Sequence, residues 1–327
     1  MGNQTRTDTL DDLFLTTAAY RKSGAVDQAF MKLPMLDWLL SHGGITDKSV
    51  SGYSRIEIPV KYGKNEQTKW LGRGGTTSLT ESEFLAEAWD DWKFIATPII
   101  RYGQDDAKNR GAARVIDYVS EKLDAAETGF RETLNDALWG DGTGDGQPNG
   151  LQNIVSATPT LGTLHNISRV TYPWWRNQVK ASTGASGTYL LSDMKNFMNT
   201  ITKYSLSEKA DQFLMTDQTS FELYEAEIDD KVTIINNTSK GDIGFDSLNF
   251  KGRPMFFDEG CPSGYMYFLN PKYLQLFKDS DGFMDMTEWD LMGNGHVGDK
   301  IAHLKGMCQL ITSRPGALGV LTGISAT

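Results

Sequence analysis

QDDAKNRGAARVIDYVSEKLDAAETGFRETLNDALW (Gln104–Trp139), followed at once by GDGTGDGQPNG (Gly140–Gly150), decides how the rest of the chain is organised. Ile116, Val119, Leu123, Ala126, Phe130, Leu134 and Ala137 recur at steps of three and four, which is one face of an α-helix. Asp105 and Asp106 stand where the positive end of a helix dipole favours carboxylates. No proline interrupts the stretch, and glycines stop it. At 1.5 Å per residue the predicted helix spans about 50 Å, longer than a small domain is wide. Such a rod suits a spine that carries distant parts of one subunit better than the wall of a compact pocket.

Upstream, SRIEIPVKY (Ser54–Tyr62) alternates Ile56, Ile58, Val60 and Tyr62 with Arg55, Glu57, Pro59 and Lys61. Period two with β-branched residues predicts a strand with one buried face. GKNE (Gly63–Glu66) has turn chemistry, and the returning arm is loosened by Gly72, Gly74 and Gly75. A firmer strand is predicted from Trp92 to Tyr102, and Pro59 and Pro98 place both strands at edges. A long two-stranded arm is poorly stable alone, so it needs a surface, within the subunit or on a neighbour. Before it, Leu10–Tyr20 and MKLPMLDWLL (Met31–Leu40) read as short helices. The second puts Leu33, Leu36, Leu39 and Leu40 on one side. They are core helices, or parts of an arm that docks on another copy.

Downstream, LQNIV (Leu151–Val155) and the stretch from Thr163 to Ala181 read as short strands, and KASTGASGT (Lys180–Thr188) as a small-residue loop. A helix is predicted over Ser192–Tyr204, capped by Ser192, with Met194, Phe197, Met198 and Ile201 on its apolar face. A buried strand at Phe213–Met215 precedes a helix capped by Asp217 and carrying Phe221, Tyr224 and Ile228. Alternating strand and helix make this an α/β or α+β lobe. The last quarter is strand-rich, and LGVLTGI (Leu318–Ile324) suits a sheet-closing strand.

The 327 residues suffice for two domains, and 39% hydrophobic with 23% charged residues places the chain among globular proteins. A net charge of -10 argues against gripping nucleic acid over much of the surface, though not against containing it. Two cysteines, Cys261 and Cys308, make no disulfide framework, so a reducing compartment is expected. The polar N-terminus does not read as a signal peptide, and Arg6 breaks the myristoylation pattern that Gly2 begins. No apolar run is long enough to span a membrane.

Two stretches imitate a calcium loop, and each lacks one anchoring carboxylate. Asp141–Gln152 ends in Gln152 where a bidentate Glu belongs. Phe277–Glu288 has Asp279, Asp281, Gly282, Asp285 and Glu288 in place but starts on Phe277. The plainer reading is a helix-ending turn for the first and a loop into a strand for the second. His296 and His303 match no zinc spacing, and GRGGTT (Gly72–Thr77) lacks the Lys of a phosphate loop. No nucleophile elbow occurs. Trp174 with Trp175, or Trp89 with Trp92, could stack bases, but without neighbouring cations packing is the better reading. No catalytic residue, cofactor site or metal site is assigned.

The order of elements resembles that of the major capsid proteins of tailed bacteriophages, the Hong Kong 97-type fold, over nearly the whole chain. ETLNDALWGDGTGDGQPNGL (Glu132–Leu151) is similar to the passage where this family closes its spine helix. SRVTYPWWRNQV (Ser168–Val179), KGRPMFFDEG (Lys251–Gly260) and SRPGALGVLTGI (Ser313–Ile324) look like family passages in the right order. The resemblance implies an α+β architecture in four parts. Residues 1–49 would be an N-terminal arm and 50–98 an extended β-hairpin, the E-loop. Residues 99–165 and 270–305 would be a peripheral domain with the spine helix, and 166–269 with 306–327 an axial domain.

It further implies a structural, non-enzymatic protein of the virion, assembled in the host cytoplasm. Copies would join as hexamers and pentamers into an icosahedral head enclosing double-stranded DNA. The hairpin would lie over the adjacent subunit, with Lys64, Glu66, Lys69, Trp70 and Arg73 as the contact surface. Its partners would be the chain itself, a portal and, in some members, a decoration protein. No coiled-coil-like prefix precedes the arm, so a separate scaffolding protein, or none, is expected. Some members weld subunits through a Lys–Asn bond. Lys61, Lys64 and Lys69 have no matching partner here, so that chemistry is not carried over. An encapsulin-like compartment is the near alternative. A calcium-dependent binding or enzymatic α+β protein is the alternative of another class.

Overall fold

The computed structural model describes residues 34–41, 44–48, 55–63, 68–76, 83–103, 112–182, 190–205, 212–229, 248–280, 282–293 and 298–325. In chain order they carry α1 (Pro34–Ser41), β1 (Ile45–Lys48), β2 (Arg55–Lys61), β3 (Leu85–Asp91), β4 (Lys93–Arg101), α2 (Ala112–Trp139) and α3 (Leu151–Ile154). Next come β5 (Thr163–Leu164), β6 (Ile167–Ser168), β7 (Gln178–Ala181), α4 (Leu190–Tyr204), β8 (Phe213–Thr216) and α5 (Gln218–Asp229). The strand-rich remainder holds β9 (Leu248–Phe250), β10 (Arg253–Phe257), β11 (Met266–Leu269), β12 (Leu274–Asp279), β13 (Asp285–Met286), β14 (Asp290–Leu291), β15 (Lys300–Thr312) and β16 (Gly319–Thr322).

The spine helix α2 has 28 residues and is therefore about 42 Å long. Asp105 and Asp106 lie outside the described residues, as do the side chains of Ile116 and Val119. From Leu123 onward the predicted apolar face is the buried one, through Ala126, Phe130, Leu134 and Ala137. That face lies on β4 and β15. At Gly306 of β15 an added Cβ would stand 2.8 Å from Phe130 Cζ. A glycine inside a strand marks such a close approach. Phe130 also meets Phe283 edge-on, with 5.8 Å between ring centroids.

One sheet is built around the 13-residue β15. β4 runs antiparallel along one side of it, from Lys300 opposite Arg101 to Cys308 opposite Lys93. β12, β13 and β14 share the other side, and β1 adds in parallel to β12. The second sheet has the order β7-β16-β11-β8-β10-β9. Its core joins Met194, Phe197, Met198 and Ile201 of α4 to Leu214, Met255, Phe268 and Leu321 of the strands. These are the helix residues that the periodicity marks out. β16 lies between β7 and β11, so LGVLTGI does complete a sheet.

Several elements differ from the sequence reading. LQNIV is not a strand. Its first four residues form the helical turn α3, closed by Ile154 N–H and Asn153 N–H on the Gly150 carbonyl. The preceding turn folds back so tightly that a Cβ on Gly150 would collide with the Gly140 carbonyl oxygen, which leaves no room for an extended run. Ser192 is not a cap, because α4 begins earlier, at Leu190. Asp217 does stand directly before α5, its carbonyl accepting the first helical bond from Phe221 N–H at 3.1 Å.

The strand after the hairpin also moves. β4 leaves β3 and pairs with β15, which matches its nine residues, whereas the seven residues of β2 are already taken by β3. In α1 the buried residues are Met35, Trp38 and Leu39. Leu33 and the side chains of Leu36 and Leu40 lie outside the described residues. The Trp38 ring centroid is 5.5 Å from that of Phe213 and 5.7 Å from that of Phe256. This helix therefore packs into the core of its own subunit. The loop at 183–188, Asp281 and His296 fall outside the described residues.

Candidate assembly surface

The hairpin is made by β2 and β3, paired from Arg55 opposite Asp91 to Lys61 opposite Leu85. The alternation in β2 has its physical counterpart at this base. Ile56 packs with Phe277 and Ile311. Val60 and Ala88 join the main core, with Ile58 against it. The base of the ribbon thus rests on its own subunit. Above it, Tyr62 stacks flat on Trp174, with centroids 4.7 Å apart and planes 7° from parallel.

A polar network fixes the angle at which the hairpin leaves the body. Asp90 of β3 accepts from Asn149 Nδ2 at 2.7 Å and is hydrogen-bonded to His165 Nδ1. His165 Nε2 accepts the Thr312 N–H at 3.0 Å, so Nδ1 carries the proton and donates to Asp90. The His165 side chain is fully buried, so this Asp–His pair is a brace rather than an exposed general base. Gln309 of β15 accepts the Asn149 N–H at 2.8 Å and donates to the Asp91 carbonyl at 3.2 Å. His165 sits in the turn between β5 and β6, where it and Asn166 take positive φ of 50° and 62°. That pair of αL residues is the tight-hairpin geometry.

The glycine turn supplies Asn149 to this network. Asp141 accepts Thr143 N–H at 3.0 Å and Thr143 Oγ1–H at 2.7 Å, bonds that hold its carboxyl below the usual range. Gln152 donates to the Trp139 carbonyl at 2.8 Å, tying the turn to the end of the spine helix. In the second calcium-like stretch, Phe277 is buried within β12 and Asp285 faces Lys305 at 3.8 Å. Among the described residues, no three His, Cys, Asp or Glu gather as a metal site. Arg169 is buried beside the turn and donates to the carbonyls of Asn153 and Ile154 at 2.6 and 2.8 Å. Burial lowers its guanidinium to about 10.

At the same C-terminal end of α2, Asp258 is buried against Asn135 and Trp139. Burial raises its carboxyl above the usual range, opposed by the Gly260 N–H at 2.9 Å. Asn135 and Trp139 oppose it as well, less than the Gly260 N–H does. Cys261 and Cys308 are free and buried. Burial pushes both thiols up, Cys308 to about 12, which leaves neither as a reactive thiolate. The tryptophans considered as a stacking platform are occupied. Trp175 is buried and donates to the Leu164 carbonyl at 2.9 Å. Arg55 covers Trp89 at 4.0 Å, and Trp92 packs beside Ile56.

Beyond Tyr62 the hairpin leaves the body. Every described residue from Thr68 to Thr76 is exposed, and Trp70 is 101% exposed. Gly75 N–H meets the Gly72 carbonyl at 2.9 Å, with Gly74 at φ 82°, which makes a turn only glycine adopts easily. Leu71, Phe84 and Leu85 add exposed apolar surface. Of the five residues predicted as a contact surface, Lys69, Trp70 and Arg73 lie on this bare loop. Lys64 and Glu66 fall outside the described residues.

This arrangement, with a spine helix on a long-stranded sheet, a six-stranded lobe and a projecting hairpin, is shared with solved shell structures. The capsid asymmetric unit of cyanophage A-1(L) matches with a TM-score of 0.61 and 17% identity, over 90% of this chain and 93% of that one. The chain has the Hong Kong 97-type capsid fold. The capsid of a native GTA particle matches with a TM-score of 0.61 and 11% identity, over 88% of this chain and 91% of that one. The holo-SrpI encapsulin complex from Synechococcus elongatus matches with a TM-score of 0.57 and 12% identity, over 89% and 88%. Neither a protein-family model nor a curated protein matches the sequence. Among the described residues, no helix is long and apolar enough to cross a membrane.

Proposed function

We propose that this chain is a major capsid protein, the repeating subunit of an icosahedral head that encloses double-stranded DNA. The observation that carries the reading is a capsid fold spanning nine-tenths of the chain and bearing a hairpin tip that its own subunit leaves bare. A fully exposed indole is uncommon on a monomer, and aromatic side chains dominate the buried centres of interfaces. Copies join as hexamers and pentamers through the hairpin and the N-terminal arm, because a closed shell needs complementary faces on one subunit.

In this reading residues 1–49 are the arm and 50–98 the E-loop region. Residues 99–165 with 270–305 form the peripheral domain, and 166–269 with 306–327 the axial domain. The role is structural and not catalytic. The chain works in the virion, assembles in the host cytoplasm, and meets a portal, a separate scaffolding protein and a decoration protein. The acidic balance suits a wall that holds DNA without gripping its sequence.

Electron microscopy and light scattering of the purified chain test the reading. Closed shells of uniform size are expected, and a protein that stays monomeric at every concentration and salt overturns it. The encapsulin likeness supports a second reading, a cellular compartment of the same fold. Particles recovered from the native source decide between the two: a DNA filling supports the head, and a packed enzyme supports the compartment.

A further inference from the structure

We propose that one end of the second sheet is a nucleic-acid contact, a small basic patch that takes backbone phosphates without reading bases. This rests on the shell reading above and names the surface that meets the enclosed DNA. β7, β8, β10 and β16 begin at this end, and β11 finishes there. Ser205, just past α4, accepts from Gln212 Nε2 at 2.8 Å and from Asn270 Nδ2 at 3.2 Å, which brings the end of that helix to the same place. The register therefore gathers Arg176, Lys203, Arg253, Lys272 and Arg314, which are distant in the chain. Arg253 Nε donates to Gln212 Oε1 at 2.7 Å. Arg314 lies over the Tyr273 ring at 5.8 Å, and Lys203 over the Tyr204 ring at 5.9 Å. A Cβ on Gly316, two residues past Arg314, would stand 3.7 Å from the Arg176 carbonyl oxygen.

Among the described residues no carboxylate pairs with any of these five cations, whereas Lys180, Lys278 and Lys305 pair with Asp193, Asp47 and Asp285. Asp193, Asp217 and Asp258 of the same lobe stand at the other end, where β7, β8 and β10 finish. The connection 206–211, outside the described residues, brings Glu208, Lys209 and Asp211, too little acid to offset five cations. In a chain of net charge -10, a cluster of one sign is a local field and not a reflection of composition. Arg253 is 2% exposed, so it strengthens that field without touching a ligand. Burial lowers its guanidinium, with no acid beside it to hold it up. Arg176 spends Nε and Nη2 on the carbonyls of Arg169 and Val170. Lys203 and Lys272, both exposed, and the half-buried Arg314 are left for contact. Arginine and lysine without interspersed acids match a polyanion of uniform sign, where a protein surface would present both signs. Three phosphate contacts make a weak and salt-sensitive hold, which suits a wall that lets its DNA leave.

Binding of a short fluorescent DNA duplex to the full chain, read by anisotropy over a salt series, tests the patch. The wild-type chain is expected to bind every sequence alike, with log affinity falling against log salt at a slope of about -3. K203A/K272A changes two exposed side chains and leaves the core intact. It should reduce that slope by about 2 and lower affinity at low salt at least tenfold. K203E/K272E/R314E should abolish binding. K278A/K305A removes the same charge from the other sheet and should bind as the wild type does. Circular dichroism and melting temperature serve as controls for folding. A wild-type chain that does not bind, or an unchanged slope in K203A/K272A, overturns the patch. So does tighter binding of poly-glutamate than of DNA at equal salt, which would assign the surface to an acidic protein. Electron microscopy scores shell formation separately. Shells without DNA binding overturn the patch and leave the shell reading standing, and DNA binding without shells does the reverse.

Discussion

The two ends of the hairpin are one ribbon with opposite surroundings. At its base, Ile56 and Val60 are buried, Asp90 is held by Asn149 and His165, and Tyr62 lies on Trp174. At its tip, every described residue from Thr68 to Thr76 faces solvent. The base has the side-chain alternation of a half-buried strand. The tip has glycines, cations and an aromatic with no period at all. The difference teaches that the ribbon does not need a neighbour in order to exist. It rests on its own body for the lower half, and the described residues of the upper half are bare. Removing the whole ribbon from Ser54 to Gly75 would also remove core residues, so it cannot separate folding from assembly.

Single changes can. The largest loss of stability is expected at the base, where Ile56→Ala should cost about 2–4 kcal/mol, read from the urea midpoint at unchanged slope. Asp90→Ala should cost about 1–3 kcal/mol, because it leaves the buried Nδ1–H of His165 without an acceptor. If instead Asp90→Ala melts like the wild type, the polar network does not brace the hairpin. Asp258 gives a pH test away from the ribbon. Its folded carboxyl is raised above the unfolded one, so its contribution is full at low pH and is lost as pH rises through the raised value. Asp258→Asn should therefore flatten that part of the melting-temperature profile and stabilise the fold at neutral pH. A profile with the wild-type slope would count against burial as the cause. The smallest change in stability, within about 0.5 kcal/mol, is expected for Trp70→Ala. The same variant should lose most particle assembly by light scattering, and an assembling Trp70→Ala would remove the tip from the interface.

Much of the architecture could be read from the residues, for identifiable reasons. α2, β2 and α4 each bury one face against a layer, so the period of burial is written along the chain at Leu123–Ala137, Ile56–Val60 and Met194–Ile201. What escaped the reading depended on distant parts. Whether β4 pairs with β2 or β15 is a choice between strands some forty and two hundred residues away, and local propensity is the same for both. LQNIV has strand-like composition, but the Gly140–Gly150 fold-back decides its shape. The bracing network joins Asp90, Asn149, His165, Gln309 and Thr312, residues with no shared motif. Only a polar residue in a turn or strand hints at each. The tip residues were found through the resemblance rather than through a pattern, since bare loops carry no periodic signal.

β15 has one more consequence. After Thr312 the backbone makes a buried turn through Pro315, Gly316 and Ala317 and enters β16, the strand set between β7 and β11. A single run of backbone from Lys300 to Thr322 is therefore the keel of both sheets. A push on the ribbon reaches it through Asp90, His165 and Thr312. Load applied at the rim of one lobe is thus handed to the middle of the other, with little slack at the joint to absorb it.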